Sequence, residues 1–490
     1  MATNFVVQIL IVRYLAKGEY GAFAYAMSLV SLGSSLAVFG MDKTITRFLP
    51  IYQEKGEYQK LFGTLVMVLS TVFSLGFFLV LFVFALQGWI GEAFVLDAAD
   101  VRLLLLLILL SPVQAFDSLL VGMLAVFAKP SAIFFRRHVL GPSLKLLVVL
   151  LLILFRGDVY FLSAGHLVAA VFGVALYSGI LLRDLRNQEI WQHFRIRNIK
   201  FPIREIFGFS LPLLTTNMVY MLRSQLVIVF IQYFHTTVDV AAYRAVQPVA
   251  DLNTTVIQSF ALLFMPAMAR MFARKDQQAM DNLYWQNAIW ITMISFPIFL
   301  MTFSLAEPLT IALFGQRYAD SAWIMALLAL GYYFNAALGF NVDTLRIYGK
   351  IRYTVTIDFV VMLISLGLSL LLIPRFGALG AAMGTCVTLV TYNILNHIGL
   401  KLATPINLFE WRYLRVYASI ILATVGLSVL QSWASLPIYI GVPLVGLISL
   451  AVLIFNREVL NIEQTFPELL RIQIVRLLFA PRPPKKQLAE

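Results

Sequence analysis

The sequence predicts an all-α polytopic membrane protein of about fourteen spanning helices, and three observations predict it. Of its 490 residues 60% are hydrophobic and 13% charged, a balance that excludes an ordinary soluble domain and a disordered chain alike. Apolar stretches of about 20 residues, the length that crosses a bilayer core, recur almost end to end with short polar breaks. They lack the short alternating strands of a membrane barrel, and helices are the other structure that satisfies every backbone group in lipid.

Taken in order, the expected spans are roughly 1–16, 20–40, 61–87, 103–128, 133–155, 159–182, 207–234, 239–268, 283–304, 322–345, 353–373, 378–401, 411–431 and 436–455. The first is short, reaching about 24 Å against a core of roughly 30 Å. Either it runs on through Arg13 and Lys17, or a longer helix has lost its first turns; the second is the expectation. The start has no basic region, so a cleaved leader is not expected.

Loop charge sets the expected orientation. With the N-terminus in the cytoplasm, the inside loops hold about 28 Lys and Arg and the outside loops about 5. Both termini are therefore expected in the cytoplasm, with the chain in the cytoplasmic (inner) membrane. The net charge of +12 follows from the same loops, so no nucleic-acid partner is expected. The one cysteine, Cys386, sits in an apolar helix and offers no internal disulfide.

Charged residues stand out most between Phe209 and Phe264. Two apolar helices meet there at a short polar turn, Phe234-His-Thr-Thr-Val-Asp239. The first carries Arg223, with Thr216 and Tyr220 on the same face. The second carries Arg244, Gln247, Asp251, Thr254 and Gln258, whose spacing of three and four draws one polar stripe. An ionisable group at the bilayer centre costs roughly 2.5–3.5 kcal/mol, so such groups normally face a bundle interior or a wet cavity. The stripe reads as the wall of a transport path.

Two stretches about 220 residues apart are alike. Lys17-Gly-Glu-Tyr-Gly-Ala-Phe23 opens a helix ending in Arg47-Phe-Leu-Pro50, and Val238-Asp-Val-Ala-Ala-Tyr243 opens one ending in Phe264-Met-Pro266. Ala128-Lys129-Pro130 and Gly349-Lys350 match at a similar offset. The expected organisation is two six-helix lobes, 1–200 and 201–402, in pseudo-twofold arrangement about the membrane normal, with a cavity between them. An extra helix pair, 403–456, and a cytoplasmic tail, 457–490, follow. Within the tail, Leu460 to Leu478 reads as amphipathic and Pro481 to Lys486 as a basic disordered end. The run Gly377-Ala-Leu-Gly-Ala-Ala-Met-Gly384 reads as a tight turn packed on a neighbour.

Several of these stretches together resemble the polysaccharide flippases of the multidrug/oligosaccharidyl-lipid/polysaccharide exporter superfamily. They are Gly18-Glu-Tyr-Gly-Ala-Phe23 with Phe39-Gly-Met-Asp42 and Arg47-Phe-Leu-Pro50, then Phe209-Ser-Leu-Pro212 with Ala241-Ala-Tyr-Arg-Ala245, then Ile373-Pro-Arg-Phe-Gly-Ala-Leu-Gly-Ala-Ala-Met-Gly384. The resemblance implies a lipid-linked oligosaccharide moved by alternating access across the inner membrane, for cell-surface polysaccharide synthesis. The partners it implies are that cargo, membrane lipids, and glycan polymerase or glycosyltransferase machinery.

The implied cargo, a polyprenyl pyrophosphate, is anionic, which makes Arg223 and Arg244 the first substrate-binding candidates. Arg244 has an alternative role, pairing with Asp251 or Asp343 to hold helices together. Asp251 is either such a partner or a carboxylate that couples transport to H+ or Na+; the coupling ion is left open, and no cofactor is expected. Gln247, Tyr220, Asp117 with Gln114, and Asn335 with Asp343 on one face of the tenth helix are further candidate wall residues. Lys145 follows Gly141-Pro142, where a kink would expose backbone carbonyls. His166 reads as packing.

Shifted by about 220 residues, Arg244, Gln247, Asp251 and Thr255 become Ala24, Met27, Ser31 and Ser35. Hydroxyls of Ser28, Ser31 and Ser35 would then meet sugar while the arginines meet phosphate. An enzyme is not expected, since the sequence offers no metal-ligand spacing, Walker loop or nucleophile triad. The runner-up is a cation-coupled drug exporter of the same superfamily.

Overall fold

The computed structural model describes residues 2–94, 96–127, 130–187, 192, 199–407 and 409–460. The side chains of Thr216 and Tyr220 lie outside the described residues, as does 461–490, with most of the tail. Among the described residues the chain is helical, without a strand.

The first stretch runs α1 (Ala2–Tyr14), α2 (Lys17–Val38), α3 (Met41–Glu54) and α4 (Tyr58–Ala85). Glu19 accepts the Ala16 N–H at 3.0 Å and so fixes the start of α2. Phe39 and Gly40 both take positive φ and end it, letting α3 leave at a new angle. Short α5 (Gln87–Ala93) leads to α6 (Ala98–Ile108), α7 (Leu110–Phe127) and α8 (Pro130–Phe135). A π-helical turn, Arg136–Leu140, then enters α9 (Gly141–Leu154), and α10 (Val159–Asn187) follows.

The chain continues through α11 (Ile203–Phe234), α12 (Thr237–Ala250), α13 (Leu252–Ala273), α14 (Gln277–Phe303), α15 (Ala306–Phe314), α16 (Ala322–Ala337) and α17 (Asn341–Ile347). It ends with α18 (Ile351–Ala403), α19 (Leu414–Ala434), α20 (Ile438–Phe455) and α21 (Arg457–Leu460). Among the described residues, eleven helical stretches are long and apolar enough to cross a membrane. The 53-residue α18 would reach about 80 Å at 1.5 Å per residue, more than twice a bilayer core. It breaks at Gly377 (φ 56, ψ −133) and therefore counts as two spans. With α11 and the short α1, the tally is consistent with the expected fourteen.

The chain packs as two compact units, residues 1–245 with 362–381, and residues 246–361 with 382–490. In the first, α2, α3, α4, α7 and α10 share a core that includes Met41, Ile45, Leu61, Val68, Leu119 and Tyr177. Close backbone approach explains Gly21 of the opening motif: a Cβ there would lie 1.7 Å from Thr237 O. The same holds at the α18 break. His235 meets Ile373 O at 2.7 Å, and a Cβ on Gly377 would sit 3.1 Å from Asp239 Oδ1. This is the packed turn that the glycine-rich run predicts.

In the second unit α14 is central, with Trp285, Ile289, Trp290 and Phe296 buried. It also solves a problem that α16 creates. Helix ends inside an apolar bundle leave carbonyls without donors. Thr292 donates to Ala337 O at 3.3 Å and Tyr284 to Leu338 O at 2.6 Å, so hydroxyls of α14 fill the end of α16.

Candidate functional site

Within the first unit, α1, α2, α7, the π-helical turn, α9 and α10 surround a cavity of about 570 Å³. Such a volume falls in the usual range of ligand sites. Its polar wall holds Gln114 and Asp117 from α7, Arg136 from the π turn, Lys145 from α9, and His166 and Tyr177 from α10. The turn's i→i+5 bond, Gly141 N to Arg136 O, widens the helix ahead of Pro142, which has no N–H of its own. A π-helical turn stands where a kink at Gly141-Pro142 is expected, and Arg136 is its first residue.

Arg136 is only 8% exposed. Its Nη2 pairs with Asp117 Oδ1 and donates to Asp117 O at 3.4 Å, and its guanidinium lies 4.9 Å from the Tyr177 ring centre. Its Nη1 is buried with no hydrogen-bond partner among the described residues, and so is the Tyr177 hydroxyl. An unmatched buried donor costs about 1–3 kcal/mol, more when charged. His166 Nδ1 meets Leu162 O at 2.9 Å; a carbonyl can only accept, so Nδ1 holds the proton and Nε2 is left as an acceptor. The ring also packs edge-on against Phe23, so the packing role expected of His166 accompanies a place in the cavity wall.

Asp117, Gln114 and Lys145 are among the residues expected from the sequence; Arg136 and Tyr177 are not. Arg136 was counted with Lys129 and Arg137 as loop charge that sets orientation. The available signal was its place just ahead of Gly141-Pro142, at the edge of an apolar helix.

A second polar cluster in the same unit centres on Arg244. Its Nη2 donates to Ser28 Oγ and to Gln225 Oε1, each at 3.2 Å. Pro248, four residues on, has no N–H to offer the Arg244 carbonyl. Gln8 Nε2 donates to that carbonyl at 3.2 Å and lies 3.3 Å from the Tyr20 hydroxyl. Ser28, one of the hydroxyls expected to meet sugar, thus receives the arginine. Ser31 bonds back to Met27 O at 2.9 Å and is absent from the cavity wall, because a serine hydroxyl in a helix reaches its own preceding turn. Arg223 is half-buried on α11, and the Tyr220 side chain lies outside the described residues.

Two expectations change further along the chain. The stripe from Arg244 to Gln258 does not run along one unbroken helix. Asp251 (φ −79, ψ 0) is a turn residue between α12 and α13, three residues after Pro248. Thr254 donates to its Oδ1. Gln247 is half-buried on α12, and Gln258 is exposed on α13. Nor do Asn335 and Asp343 share one helical face, since Gly339 at φ 66 separates α16 from α17. Asn335 Oδ1 instead accepts from Asn393, whose own Oδ1 accepts from Asn341 Nδ2 at 3.0 Å. Asp343 lies 3.6 Å from Arg346.

Residues 1–272 match the family model described as polysaccharide biosynthesis protein. The chain is 21% identical to the capsular polysaccharide biosynthesis protein CapF of Staphylococcus aureus over 390 residues, 78% of this chain and 90% of that one. It is also 21% identical to the probable low-salt glycan biosynthesis flippase Agl15 of Haloferax volcanii over 388 residues, 78% of this chain and 77% of that one. Its fold is similar to that of the lipid II flippase MurJ in an inward closed conformation, with TM-score 0.71 and 13% identity over 94% of this chain and 97% of that one. With more than half its length matched, the chain is a multi-pass membrane protein of the polysaccharide biosynthesis protein family.

Proposed function

We propose that this protein is a flippase that moves a polyprenyl-pyrophosphate-linked oligosaccharide across the cytoplasmic membrane by alternating access, for cell-surface polysaccharide synthesis. Both termini lie in the cytoplasm, and the chain takes its cargo from glycosyltransferases and hands it to polymerising enzymes on the far side. Two six-helix lobes, 1–200 and 201–402, alternate around the path. Arg223, Arg244, Gln247 and Tyr220 meet the cargo along it, and Asp251, at the α12–α13 turn, is where H+ or Na+ exchanges.

The observation that carries the reading is a polar, basic cavity inside an otherwise apolar helical unit, held by a chain of this family. Arg136 and Lys145 outnumber the single carboxylate, Asp117, in its wall, a balance that suits anionic cargo and disfavours an exporter of organic cations. Depletion of the protein in its own cells tests the function. The expected result is loss of surface glycan with build-up of its lipid-linked precursor on the inner face. Normal surface glycan with altered drug resistance would overturn it.

A further inference from the structure

We propose that the cavity of the first unit is an oxyanion-binding site, in which Arg136 and Lys145 receive a carboxylate or phosphate and Asp117 holds Arg136 ready. The proposal deepens the flippase reading and rests on it for the source of the ligand, the hydrophilic part of a lipid-linked glycan.

Three features of this cavity converge. Arg136 is 8% exposed and lines a cavity about 570 Å³ in volume, and its buried Nη1 has no hydrogen-bond partner among the described residues. A guanidinium presents its nitrogens as a fork that fits two oxygens of one oxyanion. Asp117 occupies Nη2, and Nη1 has no hydrogen-bond partner among the described residues. Asp117 is also half-exposed, so it can yield to a competing oxyanion without entering a dry environment.

Lys145 adds a second positive charge to the same wall, and no carboxylate among the described residues lies within ion-pair distance of it. The remaining groups suit hydroxyls. The Tyr177 hydroxyl is buried and unpartnered, His166 Nε2 can accept, and Gln114 can do both. A wall with an oxyanion receptor beside hydroxyl partners fits an acidic sugar, or the sugar-diphosphate junction of a lipid-linked glycan. Both sources offer the same chemistry to Arg136.

The competition between Asp117 and ligand gives the test its sign. The full chain is purified in lipid nanodiscs, and binding is measured by calorimetry with two matched probe pairs: methyl glucuronide against methyl glucoside, and geranyl diphosphate against geraniol. The expected result is that at least one anionic probe binds about tenfold or more tightly than its neutral twin. Arg136→Gln should erase that preference, Lys145→Gln should reduce it severalfold, and Asp117→Asn should tighten anion binding about tenfold by removing the competitor. Preference for the glucuronide identifies an acidic sugar; preference for the diphosphate alone identifies the lipid headgroup.

A purely structural ion pair predicts the opposite for Asp117→Asn, a lower melting temperature with no gain in affinity, and that result overturns the proposal. Equal binding of charged and neutral probes overturns it too, as does wild-type preference in Lys145→Gln, a variant at a residue with no ion pair among the described residues. Movement of a lipid-linked oligosaccharide in reconstituted vesicles is followed alongside. Movement without anion binding removes the pocket and leaves the function; binding without movement removes the function and leaves the pocket.

Discussion

The asparagine ladder of the second unit and the cavity of the first are both polar interruptions of apolar helices, but they are satisfied differently. In the ladder, Asn393 donates to Asn335 and accepts from Asn341, and Asn341 Oδ1 takes the Val342 N–H at 2.7 Å. Around the cavity, Arg136 and Tyr177 keep buried polar atoms without a partner among the described residues. Inside a membrane bundle a polar side chain whose partners are all in place holds helices together. One left unmatched beside a cavity calls for its own explanation. Asparagine and arginine are equally conspicuous in an apolar sequence, and only their partners separate the two uses.

The comparison extends from polar groups to space, where the largest effect is expected. Gly21→Leu forces side-chain atoms into Thr237 O and should cost more than about 3 kcal/mol, seen as a severalfold loss of folded protein in membranes. Gly18→Ala, whose Cβ would stand 3.8 Å from Thr237 Oγ1, should leave the level unchanged. Next in size, Asn393→Leu leaves Asn335 and Asn341 unmatched and should lower stability by about 1–3 kcal/mol. Its thermal melt should fall while anion affinity stays at the wild-type value. A change in affinity would blur the distinction between ladder and cavity.

Arg136→Gln should behave in the reverse way. Breaking a fully buried pair costs about 3–5 kcal/mol, but Asp117 keeps 45% of its surface exposed, so the loss should be nearer about 1 kcal/mol. Anion affinity should drop tenfold or more on the same sample. The smallest effect belongs to Ser28→Ala, which removes one of the acceptors of Arg244 and should cost about 0.5–1.5 kcal/mol in a melt. Glycan export in that variant should be near normal, because Gln225 still holds the guanidinium.

Hydropathy made the spans readable, since each apolar stretch must reach across the same thickness of lipid. The break in α18 was readable too, from Pro374 and the glycine run after it. The breaks at Asp251 and Gly339 were harder, because a single proline or glycine is tolerated in many membrane helices. Asp117 and Lys145 were conspicuous as charges in apolar windows, whereas Arg136 lay in a basic run that topology alone would explain. The contact of Arg244 with Ser28 joins positions 216 apart, and no local spacing announces it. Ser28 meets the arginine because of helix packing, which one sequence does not display.

The measurement that bears most directly on the account is the rate at which a fluorescent lipid-linked oligosaccharide crosses vesicles that hold the purified protein. Wild-type vesicles should move it well above the protein-free rate, and a variant carrying both Arg136→Gln and Lys145→Gln should be at least about tenfold slower while melting close to the wild type. Equal rates for the two proteins, or no movement beyond protein-free vesicles, would contradict it.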